Sequence, residues 1–421
     1  MHAILTPVGS AGDVLPFVML GRELRRRGHR VTVMAVDVFR DVIGSAGLAF
    51  ASAGSREEFE ETTRNPELWD PRRGPRVVFR EIVRHMRRGY AVLEQLYVPG
   101  DSLLVGHSLS VHTRVFEETH SAAAATVHLA PGVFRSDFRQ AVLPSGQDIS
   151  SWPIWAKRTL WWAIDRFAID PLIVPELNAW RATLGVAPMS RIFKSWINSP
   201  QLVLGLFPEW FGTPQPDWPP QLRLTGFVLS DEIGRELSAP EQERLERFLN
   251  AGAPPVVFTP GSANQHAVEF FQAATEAAAR AGRRALLVTP YREHLPATLP
   301  AEIGHFPYVP FSTLFPRVAA VVHHGGIGTS AQGLAAGVPQ VVTPMGFDQP
   351  DNAARLKRLD VAEIVYPKAF RAPVVAAALN RVLSSEDTRV ACQRIRGRMD
   401  PDAALRRACD LLEERFRSRE R

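Results

Sequence analysis

Apolar residues along this chain of 421 residues fall into short unbroken runs, separated by stretches in which they recur three and four positions apart. The first run, Ala3 to Pro7, reads as a strand, and Val8-Gly9-Ser10-Ala11-Gly12-Asp13-Val14 as a glycine-rich turn. Leu15 to Arg27 then puts Phe17, Val18, Leu20 and Leu24 on one helical side. Pro16 stands where a first turn tolerates proline, and Gly28 is a natural C-cap. Val31 to Ala35 returns as a second strand, so the chain opens on a β-α-β unit, the start of a parallel sheet. Runs at Ser102–Val105, Ala123–Leu129 and Leu202–Phe207 continue the pattern.

Pro208 to Pro220 is dense in proline and tryptophan and is read as irregular, and residues 231–250 are polar and charged. A second series of strands follows at Pro255–Thr259, Ala285–Thr289, His305–Val309, Val318–Val322 and Gln340–Thr343. The expected fold class is α/β, with two Rossmann-like, doubly wound domains facing across a cleft. The expected boundaries are an N-terminal domain at 1–228, a linker at 229–252, a C-terminal domain at 253–385 and terminal helices at 386–421 that pack back toward the N-terminal domain. Ligands of such sheets bind at the carboxyl ends of the strands.

Composition narrows the class. Hydrophobic content of 45% with 22% charged residues is that of a globular protein. The net charge is +5, with arginine far outnumbering lysine, but clusters such as Arg25-Arg26-Arg27 and Arg87-Arg88 read as solvated helix faces. No basic array interleaved with aromatics points to nucleic acid. Two cysteines, Cys392 and Cys409, form neither a disulfide framework nor a metal motif. No signal peptide and no long apolar span is evident, so the expected location is cytoplasmic, with peripheral attachment to the inner membrane left open.

The stretch most suggestive of chemistry is Val321-Val322-His323-His324-Gly325-Gly326-Ile327-Gly328-Thr329-Ser330. A strand, a glycine turn and a helix start present free backbone N–H groups at a positive dipole end, ready for a phosphate or diphosphate. Glycines needed only for φ > 0 are the alternative. The first turn lacks G-x-G-x-x-G spacing and does not support a nicotinamide site. Residues 150–200 hold Trp152, Trp155, Trp161, Trp162, Trp180 and Trp196, a cluster read as packing, as an apolar cleft or as a membrane-contacting face.

Across almost its whole length the chain resembles the GT-B-fold nucleotide-sugar glycosyltransferases of family 1. The likeness rests on Tyr308-Val309-Pro310, His324-Gly325-Gly326-Ile327-Gly328-Thr329, Ala336-Gly337-Val338-Pro339-Gln340 and Asp348-Gln349. The opening Met1-His2-Ala3-Ile4-Leu5, Gly9 to Val14, Leu206 to Phe211, Asp217-Trp218-Pro219 and Thr225-Gly226-Phe227 are most similar to the rhamnosyltransferases of rhamnolipid biosynthesis.

The resemblance implies an inverting transfer of L-rhamnose from dTDP-L-rhamnose to a hydroxyl of a 3-(3-hydroxyalkanoyloxy)alkanoate. It implies no cofactor, no required metal, an apolar hydroxylated acceptor, and a partner enzyme that makes the lipid. Asp13 would be the base, with Ser10, Gly12, Ser262, Tyr308, Val309, His324, Gly326, Gly328, Thr329, Asp348 and Gln349 on the nucleotide sugar. Tyr308 stands where plant members carry a base-stacking tryptophan. Gln332 stands where UDP-glucose enzymes carry a ribose-binding glutamate, which favours a deoxyribose donor. Alternatives stay open at this level. Asp13 also suits an N-cap near Val14, and His107 is a rival or helper base. The whole chain also reads as a broad-specificity UDP- or dTDP-sugar enzyme of aromatic natural products, or as a non-catalytic interaction protein of the same fold.

Overall fold

The computed structural model describes residues 1–70, 73–139, 142–143, 145–194, 196–231, 236–261 and 267–418. Its strands are β1 (His2–Thr6), β2 (Arg30–Val36), β3 (Ala49–Gly54), β4 (Ser102–His107), β5 (Ala123–His128), β6 (Val203–Gly205) and β7 (Leu222–Leu224), followed by β8 (Val256–Thr259), β9 (Ala285–Val288), β10 (Ile303–Phe306), β11 (Ala320–His323), β12 (Gln340–Val342) and β13 (Ala362–Ile364). The first seven form one parallel sheet in the order β3-β2-β1-β4-β5-β6-β7, and the last six a second in the order β10-β9-β8-β11-β12-β13. The expectation of two doubly wound sheets holds. In each, the winding reverses beside the first strand, between β1 and β4 and between β8 and β11. Such a reversal opens a crevice at the carboxyl ends of the strands.

The register sets what meets there. Thr6 pairs with Gly106, so the chain leaves β1 level with His107 at the end of β4. In the second sheet His323 pairs with Thr259, which brings His324 level with the turn Pro260-Gly261. Both sheets are buried on both faces, and their central strands accordingly read as near-continuous apolar runs.

The chain divides into two compact units, Met1–Val228 with Asp400–Arg421, and Leu229–Met399. In the first, Ile4, Leu104, Val115 and Phe116 pack with Ile82, Tyr90 and Trp180. The helix Pro401–Arg417 lies on the helix Ala11–Arg26, with Ala408, Cys409 and Leu412 fully buried and Arg27 bonded to Asp410 at 2.7 Å. In the second unit one side of the sheet carries Phe258, Phe271, Ala274 and Leu379, and the other Val257, Leu286, Phe306 and Val309. Within the stretch expected to be a linker, Ala239–Asn250 form a helix whose Leu245 and Leu249 enter that second core.

Two local expectations need correction. The first helix begins at Ala11, four residues earlier than its apolar spacing suggested, so Pro16 lies inside it and removes the bond that would return to the Gly12 carbonyl. The strand expected at His305–Val309 is Ile303–Phe306, and Pro307, lacking an N–H, ends it. The only D-x-D, Asp400-Pro401-Asp402, starts a helix, and the Asp400 carboxylate accepts the Ala403 N–H at 2.9 Å.

The tryptophan-rich region is two helices, Ile154–Ile164 and Asp170–Thr183, joined by one wide turn. Trp180 packs edge-on against Tyr90, and Trp196 donates to Glu118 at 2.8 Å, so both are structural. Trp152, Trp155 and Trp162 are exposed, as are Phe138, Ile154 and Phe167, Trp155 at 71%. No helix among the described residues is long and apolar enough to cross a membrane.

Candidate active site

In the first unit the crevice is built on the turn from β1 into the helix Ala11–Arg26. Gly9 adopts φ +132, and a Cβ there would lie 2.2 Å from Asp13 Oδ2, so only glycine leaves room for this carboxylate. Ser10 occupies the N-cap position and Asp13 is the third helical residue, not the cap itself. The Ser10 N–H donates to Asp13 Oδ2 at 2.7 Å and the Ser10 hydroxyl does so at 3.1 Å. Both bonds fall on one oxygen, and Oδ1 has no hydrogen bond among the described residues. The Asp13 side chain keeps some solvent contact, yet it is ringed by protein closely enough for desolvation to prevail. Burial pushes its carboxyl up to about 6, against the two Ser10 bonds that pull it down. A carboxylate with that proton affinity is a competent base near neutrality. Gly12, with only Ser10 Oγ nearby, adds an open N–H in the first turn.

His107 stands at the end of the neighbouring strand. Its Nδ1 accepts the Leu109 N–H at 3.3 Å, which places the proton of the neutral ring on Nε2. Burial holds its pKa down to about 4. The ring is therefore a neutral donor at pH 7, its accepting nitrogen already occupied, and it suits a base less well than Asp13. We expect His107→Gln to lower kcat/KM by less than Asp13→Asn and to leave the acid limb of the pH–rate profile where it is. A steady-state pH profile of the variant checks both points. Beneath the crevice lies a buried cluster that sequence reasoning missed: Ser110 Oγ meets Thr6 Oγ1 at 2.9 Å, and Thr113 Oγ1 and His112 Nε2 at 3.0 Å. Scattered hydroxyls carry no spacing signal, so only the fold gathers them.

In the second unit the corresponding turn is packed around His324. A Cβ at Gly261 would lie 2.8 Å from His324 Cε1, and one at Gly326 2.4 Å from Nε2, so the imidazole fits only between two glycines. Burial lowers its pKa to about 4, so it is neutral. Its Nδ1 is buried and has no hydrogen-bond partner among the described residues, which leaves Nε2 as the nitrogen open to a ligand. His323, also unforeseen, fixes the turn: Gly325 N–H donates to its Nδ1 at 3.1 Å and its Nε2 donates to Gln340 Oε1 at 2.8 Å.

The helix here is Ile327–Ala336, with Gly326 at the N-cap and Gly337 at φ +71 closing it. Its first-turn N–H groups, those of Gly328 and Thr329 among them, have no intrahelical acceptor. Unlike Gly261 and Gly326, Gly328 has no atom of the described residues within 4 Å of where a Cβ would stand. Protein packing among the described residues does not require glycine at that place.

Asp348 and Gln349 join the same turn through Asn352, whose Nδ2 donates to Gly325 O at 3.0 Å and to Asp348 Oδ2 at 2.7 Å. Gln349 Oε1 accepts from the N–H groups of Met345 and Gly346, so its amide nitrogen is the end left for a sugar hydroxyl. Phe347, just before them, sits at φ +57, strained for an aromatic residue and held by its loop. Asp351 is buried and paired with Arg355 at 2.6 Å, while Asp348 takes the N-cap position. Gln332 is committed elsewhere, donating to Ser230 O at 3.2 Å. Tyr308 and Val309 follow β10 at the sheet edge. Val309 is 1% exposed, which leaves only its backbone to a ligand. Ser262 lies outside the described residues.

Comparison with known proteins agrees with this geometry. The glycosyltransferase family 28 N-terminal domain matches residues 3–125, and the erythromycin biosynthesis protein CIII-like C-terminal domain matches residues 286–405. The chain is 33% identical to O-mycaminosyltylonolide 6-deoxyallosyltransferase of Streptomyces fradiae, over 98% of this chain and 97% of that protein. It is 29% identical to the glycosyltransferase GtfE of Amycolatopsis orientalis, over 98% and 97%. Among solved structures, the glycosyltransferase of kitacinnamycin superposes with a TM-score of 0.74 at 21% identity, covering 99% of each chain. The calicheamicin glycosyltransferase CalG4 gives 0.71 at 21% identity, over 99% of this chain and 98% of that one, a likeness of fold. With two doubly wound sheets, a glycine turn at each point of reversal and a full-length relative at this identity, the chain belongs to the erythromycin CIII-like glycosyltransferases of GT-B fold.

Proposed function

We propose that this enzyme transfers a 6-deoxyhexose from a thymidine diphosphate donor to a hydroxyl of an apolar natural product, with inversion. The observation that carries the reading is the contrast at the second turn: glycines that packing demands at 261 and 326, and one at 328 whose side faces open space beside the first-turn N–H groups, where a ligand would lie. The diphosphate would lie on the N–H groups of Gly328 and Thr329 and on His324 Nε2. Helix dipole and donors supply the positive potential there, so the reading requires no metal and no cofactor. β10 stands three strand spacings from β11, about 14 Å, a span suited to an extended nucleotide reaching Tyr308 with its base. Asp348 and the Gln349 amide would hold sugar hydroxyls, and Asp13 Oδ1 would take the acceptor proton. The negative charge left on the departing diphosphate falls where donors already point. The name of the Streptomyces fradiae relative, a 6-deoxyallosyltransferase, supports a deoxyhexose.

A second reading, L-rhamnose onto a 3-(3-hydroxyalkanoyloxy)alkanoate, is favoured by the exposed face of Trp152, Trp155, Trp162 and Phe167. There an acyl chain gains about 25 cal/mol per Å² buried. In that reading the same face would rest on the inner membrane and receive acceptor from the enzyme that makes it. Turnover with dTDP-rhamnose, other dTDP-6-deoxyhexoses and UDP-glucose, against macrolide, aromatic and hydroxyalkanoate acceptors, separates the readings. A preference for UDP-glucose defeats both, and a deoxysugar product on a macrolide or aromatic acceptor alone defeats the second.

A further inference from the structure

We propose that the free edge of β10 carries a second small-molecule site, one that takes a carboxylate borne on a compact apolar body. A cavity of about 330 Å³ lies there, at the small end of ligand sites. Its floor is apolar: Phe248 from the helix Ala239–Asn250, Leu299, and Ile303 and Phe306 of β10. Gly304 lets the Phe248 ring lie flat on the strand, since a Cβ would stand 3.2 Å from two of its ring carbons. Two guanidinium groups rim this floor. Arg244 lies over the Phe306 ring, 4.3 Å from its centroid, and Arg292 reaches no acceptor nearer than the Pro296 carbonyl at 3.5 Å.

Neither arginine has a carboxylate partner among the described residues, although arginines around them do, Arg317 with Glu246 for one. His305 lines the same cavity and donates to the Thr289 carbonyl at 2.9 Å; burial, and after it the charge of both arginines, press down its proton affinity. An unpaired, planar fork beside an apolar floor matches a carboxylate on a ring or short chain, bound by the fork and covered by the floor. The site is separate from the donor turn, which follows β11, three strands in from the edge strand β10.

The test uses the full chain with labelled methyl groups, titrated in turn with sodium benzoate, benzyl alcohol and inorganic phosphate. Benzoate is expected to move the Leu299 and Ile303 methyl signals saturably, with benzyl alcohol and phosphate each at least tenfold weaker. R244Q/R292Q is expected to weaken benzoate at least tenfold with an unchanged melting temperature. R292Q alone, at an exposed residue with no ring contact, serves should the double variant fold poorly. Equal binding of benzyl alcohol, tighter binding of phosphate, undiminished binding by the variants, or no saturable shift with benzoate would each overturn the proposal.

Discussion

Asp13→Asn is expected to lower kcat/KM by about 10²- to 10⁴-fold, the range for loss of a general base, while the protein folds and binds nucleotide as before. Asparagine keeps an oxygen that can accept the Ser10 N–H, so the turn and its 2.7 Å bond survive the change. The pH dependence sharpens the test. With the carboxyl at about 6, wild-type log kcat/KM should climb with unit slope below that pH and level off above it. The asparagine enzyme should lose that limb. Stability should run the other way. Native Asp13 keeps its proton between the ordinary carboxylate range and about 6, where the unfolded chain has released it. Its contribution therefore declines as pH rises through that window and is constant above it, and Asp13→Asn should abolish the decline. Urea titrations at pH 4 and pH 7 read this difference. A variant turning over at the wild-type rate would remove Asp13 from the chemistry.

Gly328→Ala is expected to separate binding from folding. The new methyl meets no atom of the described residues within 4 Å, and alanine in a helix is favoured over glycine by about 0.8–1 kcal/mol, so the melting temperature should hold or rise. The diphosphate, however, would lose its approach to the first-turn N–H groups. Each charge-assisted bond is worth about 1.5–3 kcal/mol, so donor affinity should fall roughly 10- to 100-fold for one bond lost. Calorimetric titration with dTDP measures it. Gly261→Ala is the contrasting control, because its methyl would press on His324 at 2.8 Å from a backbone held at φ +94. Equal dTDP affinity in wild type and Gly328→Ala would place the diphosphate elsewhere.

The central strands were legible because burial on both faces leaves a continuous apolar run, as in Ala3-Ile4-Leu5 or Val256-Val257-Phe258. The strands that escaped, β3, β7 and β13, are all at sheet edges, where one side is only partly covered and the sequence shows small or mixed residues such as Ala49-Phe50-Ala51-Ser52. Likewise the glycine turns were visible as composition, but their division of labour was not. Gly261 and Gly326 serve the His324 ring and Gly328 does not, a distinction that depends on residues far apart in the chain. His323, Asn352 and the Thr6–Ser110–Thr113 cluster were illegible for the same reason: each acts through a partner brought in by the fold. Asp13 was found through the family resemblance, by its place after the glycine. Its raised proton affinity follows from the packing around it, which no local pattern encodes.

The helix Pro401–Arg417 belongs to the first unit although the whole second unit precedes it in the chain. During synthesis, then, the second unit has every strand of its sheet before the first unit has its last helix. Until that helix emerges, the outer side of Ala11–Arg26 awaits Ala408, Cys409 and Leu412, and the carbonyl of Leu20 awaits the Cys409 thiol at 3.8 Å. The unit begun first thus waits on the second, and the helix bearing Asp13 gains this support only after all of the second unit has been made.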